Sequence, residues 1–200
     1  MLNFCTLYNS NYAAKGLAMY WSLKRVCPEF NLYVFAFDDV LAAALKKMAL
    51  SNMTVITLAE FEDEELLSVK PTRTAGEYCW TCSSSTIYYC LTHYNIDHCT
   101  YIDADLYFYS NPQVLIDEMG DDDVLITSHR YSKQYQSEDV NDKFCKEVHR
   151  EKLCFKSFLK RSSVKLDLYL VFRFLLNDRS SLLCIHYFVL LSFHASIIQK

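Results

Sequence analysis

Short apolar runs alternate with longer helix-like segments through the first two thirds of the chain, and this alternation constrains the fold more than any other feature. The runs are Asn3–Tyr8, Asn31–Phe37, Met53–Leu58, Cys99–Ile102 and Val124–Thr127. Several are apolar on both sides, as strands in a sheet covered on both faces must be. Strands separated by helices predict βαβ units, and therefore an α/β fold with a mostly parallel sheet and helices on both faces.

The segments between these runs predict the helices and loops. Pro28 ends the first helix, and Pro71 with Gly76 marks a loop. The predicted helices cover about 12–26, 40–50, 59–69, 78–94 and 112–120, with a loop over 70–77 and with 106–109 extending the fourth strand.

Composition excludes several classes of protein. The three glycines, Gly16, Gly76 and Gly120, are isolated, so neither a phosphate-binding P-loop nor a GxGxxG dinucleotide fingerprint can form. Residues 1–143 hold 20 acidic and 10 basic side chains, and this excess of negative charge argues against nucleic-acid binding. Nine cysteines without a recognisable secretory signal predict reduced thiols in a cytoplasmic protein.

The character of the chain changes near Phe144. Residues 144–200 hold 10 basic and 4 acidic side chains, and Ser180–Gln199 carries no formal charge. A C-terminal membrane anchor and a buried tail are both compatible with that stretch, because its Ser and His residues dilute its hydropathy. We therefore expect residues 136–200 to form a divergent tail, with helix as one option for its structure.

Two aspartates follow the fourth apolar run directly. Asp103 and Asp105 stand two residues apart, so their side chains can share one face at the end of a strand. Ligands of open α/β sheets bind beyond the carboxyl ends of the strands. Paired carboxylates there would suit Mg²⁺ or Mn²⁺, with diphosphate oxygens completing the coordination shell. The alternative is an ordinary polar turn, since a bare Asp-x-Asp is common.

Three blocks of sequence resemble one known family. They are FCTLYNSNYAAKGLAMYWSLK (4–24), EYCWTCSSSTIYYCL (77–91) and CTYIDADLYFYSNP (99–112). Together they resemble GT-A-fold nucleotide-sugar-dependent glycosyltransferases, in particular the glycogenin-like and lipopolysaccharide-galactosyltransferase-like family. The resemblance covers residues 1–135 and implies a nucleotide-sugar-binding GT-A domain over that range.

The resemblance also implies roles for individual residues. Asp103, Ala104 and Asp105 match the element that binds the divalent cation, Mn²⁺ or Mg²⁺, and the donor diphosphate. Three residues of the first block, in the family's nucleotide-contacting loop, match positions that hold the nucleobase and ribose: Thr6, Tyr8 and Tyr12.

Three further residues are candidates at the donor site. Asp38 ends the second run and could accept a hydrogen bond from base or ribose, or could instead cap the following helix. Lys70 and Arg73 lie in a loop that could reach the donor phosphates, or could be a solvated basic pair.

The implied function is metal-dependent transfer of a hexosyl group from a UDP- or GDP-sugar to a glycan or lipid-linked acceptor. The basic tail could contact an anionic membrane surface. After Arg130 no segment matches the family's acceptor-binding part. The alternative function is therefore a catalytically incomplete remnant that only binds nucleotide sugar.

The cysteines suggest two other kinds of site. Cys79 and Cys82 form a CxxC motif, which in a redox protein would follow a strand at the start of a helix. The same pair with Cys90 and Cys99 would make four zinc ligands, but their spacing does not match a zinc ribbon. We favour free, packed thiols over either.

Overall fold

The computed structural model describes residues 1–119, 124–128 and 153–160. Four parallel strands form the main sheet: β1 (Leu2–Tyr8), β2 (Phe30–Ala36), β3 (Met53–Thr57) and β4 (His98–Tyr101). They lie in the order β3-β2-β1-β4. Strands β2 and β3 are therefore on one side of β1, and β4 is on the other side. The α/β prediction with a mostly parallel sheet is confirmed.

Two further strands complete the sheet beyond β4. They are β5 (Val124–Ser128) and β6 (Leu153–Lys160), and β6 lies between β4 and β5, antiparallel to both. Part of the tail assigned to 136–200 is thus a strand rather than a helix, because its backbone pairs with strands on both sides. The other residues of that segment, Ser180–Gln199 included, lie outside the described residues.

Helices cover both faces of the sheet. The described ones are α1 (Ala13–Val26), α2 (Asp39–Met48), α3 (Leu58–Phe61), α4 (Glu64–Val69), α5 (Ala75–His93) and α6 (Gln113–Met119). Side chains alternate along β1, so Phe4 packs with Met19 and Leu23 of α1, whereas Leu7 packs in the cluster that contains Ile87 of α5. Each face of the sheet therefore has its own buried core.

Capping residues divide the segment 58–93 differently from the prediction. Thr57 forms a reciprocal cap with Glu60, and the Asp63 carboxylate accepts the Leu66 amide, so the predicted helix over 59–69 is two short helices. Thr74 caps α5 in the same reciprocal way with Glu77. The helix consequently starts at Ala75, inside the predicted loop, and a 3-10 turn occupies 70–72.

The predicted extension of β4 over 106–109 is wrong. The strand ends at Tyr101, and a turn follows in which the Leu106 amide donates to the Asp103 carbonyl at 3.2 Å. Beyond it, the backbone of Phe108 forms hydrogen bonds with side chains of helix α1 rather than with a neighbouring strand. Its amide donates to the Ser22 hydroxyl at 3.0 Å, and its carbonyl accepts from the Arg25 guanidinium at 3.0 Å.

Candidate functional site

A cavity of about 500 Å³ opens at the carboxyl ends of β1 and β4, beside the first turns of α5. This is where ligands bind in open α/β sheets, because the loops diverge on either side of the strand ends. The lining comes from three parts of the chain: Leu7, Tyr8, Asn9 and Tyr12; Ala75, Gly76, Cys79, Trp80 and Ser83; and Tyr101, Asp103, Ala104 and Asp105.

The end of β1 and the loop after it contribute two aromatic residues to the cavity, Tyr8 and Tyr12. The Asn9 side chain accepts the Asn11 amide and so stabilises the 3-10 turn Ser10–Tyr12, which leaves the Tyr12 ring at the surface. An exposed aromatic ring at a cavity mouth can stack on a planar ligand. Tyr8 is buried, and its burial raises the pKa of its phenol to about 12, so it stays neutral.

Gly16 determines where the Tyr8 ring can lie. A Cβ atom at Gly16 would lie 2.5–2.7 Å from the ζ-carbon, the ε-carbon and the hydroxyl of Tyr8. Helix α1 therefore has room for that ring only because residue 16 has no side chain. The Tyr8 hydroxyl has no hydrogen-bond partner among the described residues.

The turn after β4 brings both predicted aspartates to the cavity. Asp103 is half-buried, Ala104 is buried, and the Asp105 side chain is 50% exposed. Carboxylates in one turn provide hard oxygen donors of the kind that Mg²⁺ and Mn²⁺ take. The donor set thus fits a divalent cation, with Asp103 and Asp105 as the residues that would hold it.

One cation adjoins this turn, and sequence reasoning missed it. The Lys15 ammonium lies 3.7 Å from Asp105 Oδ2 and 4.4 Å from the centre of the Tyr12 ring. Lys15 stands in the first turn of α1, directly after the loop that holds Tyr12. The spacing of Tyr12 and Lys15, one helical turn apart, is the signal that could have revealed it.

The first two turns of α5 form the side of the cavity that the sequence prediction left out. Gly76 has open space around the position of a Cβ, Cys79 is half-buried, and Trp80 is 46% exposed. The N-terminus of a helix carries partial positive charge from its first amide groups. The pattern Thr74-x-x-Glu77, a capping box, is the sequence signal that the helix begins at Ala75, inside the predicted loop.

Four predicted binding residues do not line the cavity. Thr6 is fully buried within β1. Asp38 caps α2 by accepting the Leu41 amide, and it also accepts the Ser10 amide, both at 2.7 Å. The helix-capping alternative for Asp38 is therefore what the structure contains.

The two predicted loop cations are bound elsewhere. Lys70 donates to both carboxylate oxygens of Glu62, at 2.7 and 3.0 Å. Arg73 donates to the hydroxyl of Thr81, which in turn donates to the backbone carbonyl of Glu77 at 2.8 Å. Arg73 thus joins this segment to α5, and the Lys70 ammonium also lies 5.4 Å from the centre of the Tyr78 ring in that helix.

The CxxC pair lacks the features of a redox motif. Cys79 and Cys82 lie in the second and third turns of α5, and burial raises the pKa of both thiols. Reactive redox cysteines need the opposite, a lowered thiol pKa. The six cysteines whose side chains are described are all free.

In the described part of the chain, every helix is too short or too polar to cross a bilayer.

Comparison with known proteins finds relatives in sequence and a solved structure of similar fold. The chain is 30% identical over 136 residues to the uncharacterized protein YfnD of Bacillus subtilis (strain 168), covering 68% of this chain and 44% of that protein. It is 28% identical over 125 residues to the uncharacterized protein YfnF of the same organism, covering 62% and 41%. The chain spans less than half the length of these curated relatives. No family model matches it.

The structural comparison bears on the fold alone. The apo structure of the bifunctional glycosyltransferase WbbM superposes with a TM-score of 0.50 at 14% identity, over 86% of this chain and 34% of that one. The shared features are the parallel sheet and the helices that cover it. The chain therefore has the GT-A-type fold, the fold of WbbM and similar glycosyltransferases.

Proposed function

We propose that this chain binds a nucleotide-diphosphate sugar in the cavity and is the donor-binding part of a metal-dependent glycosyltransferase. One observation carries the proposal: the same cavity is lined by an exposed aromatic ring, Tyr12, and by two aspartates in one turn, Asp103 and Asp105. A nucleobase can stack on the aromatic ring, and the two carboxylates can hold the divalent cation that a diphosphate binds.

In this proposal each group has a definite task. Tyr12 stacks on the base, and Lys15 adds positive charge next to the diphosphate. Asp103 and Asp105 hold Mn²⁺ or Mg²⁺, which neutralises the charge of the nucleotide diphosphate as it leaves the sugar. Trp80, exposed where α5 lines the cavity, offers a flat apolar surface on which a sugar ring can pack.

The proposal assigns donor binding to residues 1–135. It includes a glycan or lipid-linked acceptor, a cytoplasmic location, and contact of the basic tail with an anionic membrane surface. Contact with a membrane is testable by vesicle sedimentation with and without anionic lipid, and equal partition to both vesicle types would contradict it.

Calorimetric titration tests donor binding directly. UDP and GDP are titrated into the purified chain with and without Mn²⁺. We expect one of them to bind only with the metal, and Asp103→Asn/Asp105→Asn to lose that binding. A matched control, Asp97→Ala/Asp117→Ala, removes two carboxylates away from the cavity and should bind as the parent does.

Two results would contradict the proposal. One is the absence of nucleotide binding to a chain whose circular dichroism shows it to be folded. The other is an equal loss of binding in the control variant, which would mean that net charge rather than the turn matters. Metal-dependent binding without sugar transfer in a subsequent assay would leave the binding proposal standing and favour the non-catalytic alternative.

A further inference from the structure

Three buried thiols from distant parts of the chain converge in the core on the side of the sheet that α5 covers. Cys5 lies in β1, Cys90 in the fifth turn of α5, and Cys99 in β4, and none of the three has exposed surface. Their sulfur atoms all lie within 4.8 Å of one another. Neither predicted cysteine motif contains this set, because the convergence depends on how α5 packs across β1 and β4.

The geometry suits a three-coordinate metal ion. For three sulfurs no more than 4.8 Å apart, a central point exists that is at most about 2.8 Å from each. Metal–thiolate bonds of this kind are about 2.3 Å long. An inward movement of about half an ångström per sulfur, within the reach of χ1 adjustments, would therefore bring all three into bonding distance of one ion.

The donor set selects the class of ion. Three thiolates form a soft environment, which excludes Mg²⁺ and Ca²⁺, since these take oxygen ligands. Structural zinc takes four ligands, whereas the described residues bring three sulfurs to this group. The Thr86 hydroxyl lies 3.6 Å from the Cys5 sulfur, but it donates to the Ser83 carbonyl at 2.7 Å.

We propose that Cys5, Cys90 and Cys99 bind a monovalent thiophilic metal ion, of which Cu(I) is the type, in a three-coordinate site made only of sulfur. On binding, the thiols release their protons to solvent and coordinate the ion as thiolates, and no electron is transferred. The site is separate from the aspartates of the cavity. Because the ion would join β1, α5 and β4, it would fix the three elements that line that cavity.

Anaerobic competition for Cu(I) against a chromophoric chelator tests the proposal. The reduced chain is loaded either by incubation or by refolding with the ion, because the site is fully buried. Cys5→Ala, Cys90→Ala and Cys99→Ala should each weaken binding at least about 100-fold, since even residues that only orient metal ligands cost 10–100-fold. The matched controls, Cys27→Ala and Cys79→Ala/Cys82→Ala, should bind as the parent does.

X-ray absorption on the loaded parent chain provides a readout that does not need the variants to fold. We expect a shell of three sulfur atoms around copper, unchanged in Cys79→Ala/Cys82→Ala. A shell of two sulfurs, a shell with nitrogen or oxygen, or loss of binding in that control would overturn the proposal. So would a failure of both loading routes, or retention of Zn²⁺ but not of Cu(I).

Discussion

The Lys15 ammonium lies 3.7 Å from a carboxylate oxygen of Asp105, and the same ammonium covers the face of the Tyr12 ring. This contact links the first turn of α1 to the turn after β4, beside the cavity. Both side chains of the ion pair are at least half exposed, at 56% and 50%, so solvent screens their attraction and the pair adds little to stability. The pair matters instead because it places a positive charge next to Asp105, one of the two carboxylates that would hold the divalent cation.

Replacing Lys15 by Met should increase the affinity of the acidic turn for Mn²⁺. The substitution removes a positive charge next to Asp105, and an exposed pair of this kind contributes at most about 1 kcal/mol, or about fivefold in affinity. Titration of Mn²⁺ followed by electron paramagnetic resonance measures the change. Lys24→Met is the control, because Lys24 lies over Trp21 instead and should leave the affinity unaltered. Unchanged affinity in Lys15→Met would contradict the expected competition between Lys15 and the ion for Asp105.

Gly16→Ala should destabilise the fold by about 1–3 kcal/mol, the usual cost of inserting a methyl group into packed surroundings. The new Cβ would overlap the end of the Tyr8 ring, so the ring or helix α1 would have to move. Urea unfolding measures the loss.

Gly76→Ala is the matched control for Gly16→Ala. Its Cβ meets no atom within 4 Å, and alanine is the better helix former, so stability should be unchanged or rise by up to about 1 kcal/mol. In a double-mutant cycle, adding Tyr8→Leu to Gly16→Ala should restore much of the stability that Gly16→Ala loses, because the smaller side chain leaves room for the new Cβ. Independent, additive effects of the two substitutions would contradict the proposed contact.

Asp38→Ala should lower the free energy of unfolding by about 1–2 kcal/mol at neutral pH, because α2 loses its N-cap and the Ser10 amide loses its acceptor. Burial alone would raise the pKa of Asp38, but the donated Ser10 and Leu41 amides hold it below the ordinary value. The contribution of the charged form is thus complete above the unfolded pKa of about 3.9 and is lost as pH falls through the lower, folded pKa.

Urea unfolding from pH 7 down to acid conditions checks the Asp38 prediction. The difference in stability between the parent and Asp38→Ala should shrink as the solution becomes more acidic than about pH 4. Asp38→Asn, which keeps an acceptor oxygen but no charge, should lose less than Asp38→Ala at neutral pH. A difference that stays constant across this range would rule out the charged cap.

Glu62→Ala should destabilise the chain by about 1.5–3 kcal/mol, the range for hydrogen bonds to charged groups. The Glu62 side chain is only 8% exposed, and it accepts from Lys70 and, at 2.6 Å, from the Tyr78 hydroxyl. Thermal unfolding by calorimetry measures the effect. Glu62→Gln keeps an acceptor for Tyr78 and should lose clearly less, so equal losses in both variants would attribute the effect to charge alone.

The sequence was sufficient for five of the six described strands but not for the shape of the cavity. Apolar runs and intervening helices identify β1 to β5, because burial on both faces requires continuous apolar stretches. The expectation that Asp103 and Asp105 share a site followed from their place after a strand. The structure puts both in the lining of one cavity.

What escaped prediction depends on tertiary contacts or on capping. Lys70 and Arg73 looked like free cations, but Glu62 and Thr81 bind them, and these partners come from elements whose packing no local pattern reveals. Lys15 was overlooked because its partner, Asp105, lies 90 positions further along the chain. The strand β6 was missed because its backbone pairing is set by β4 and β5 rather than by its own residues.

The position of β6 between β4 and β5 also sets an order of events during protein synthesis. The ribosome completes β4 at Tyr101, yet the strand that pairs with its outer edge does not begin until Leu153. At 5–20 residues per second, the nascent chain carries that open edge for about 3–10 s. An unpaired edge of this kind is a template for pairing with other chains. Chaperone binding should therefore be strongest on nascent chains that end between Tyr101 and Leu153, and it should fall once β6 has emerged.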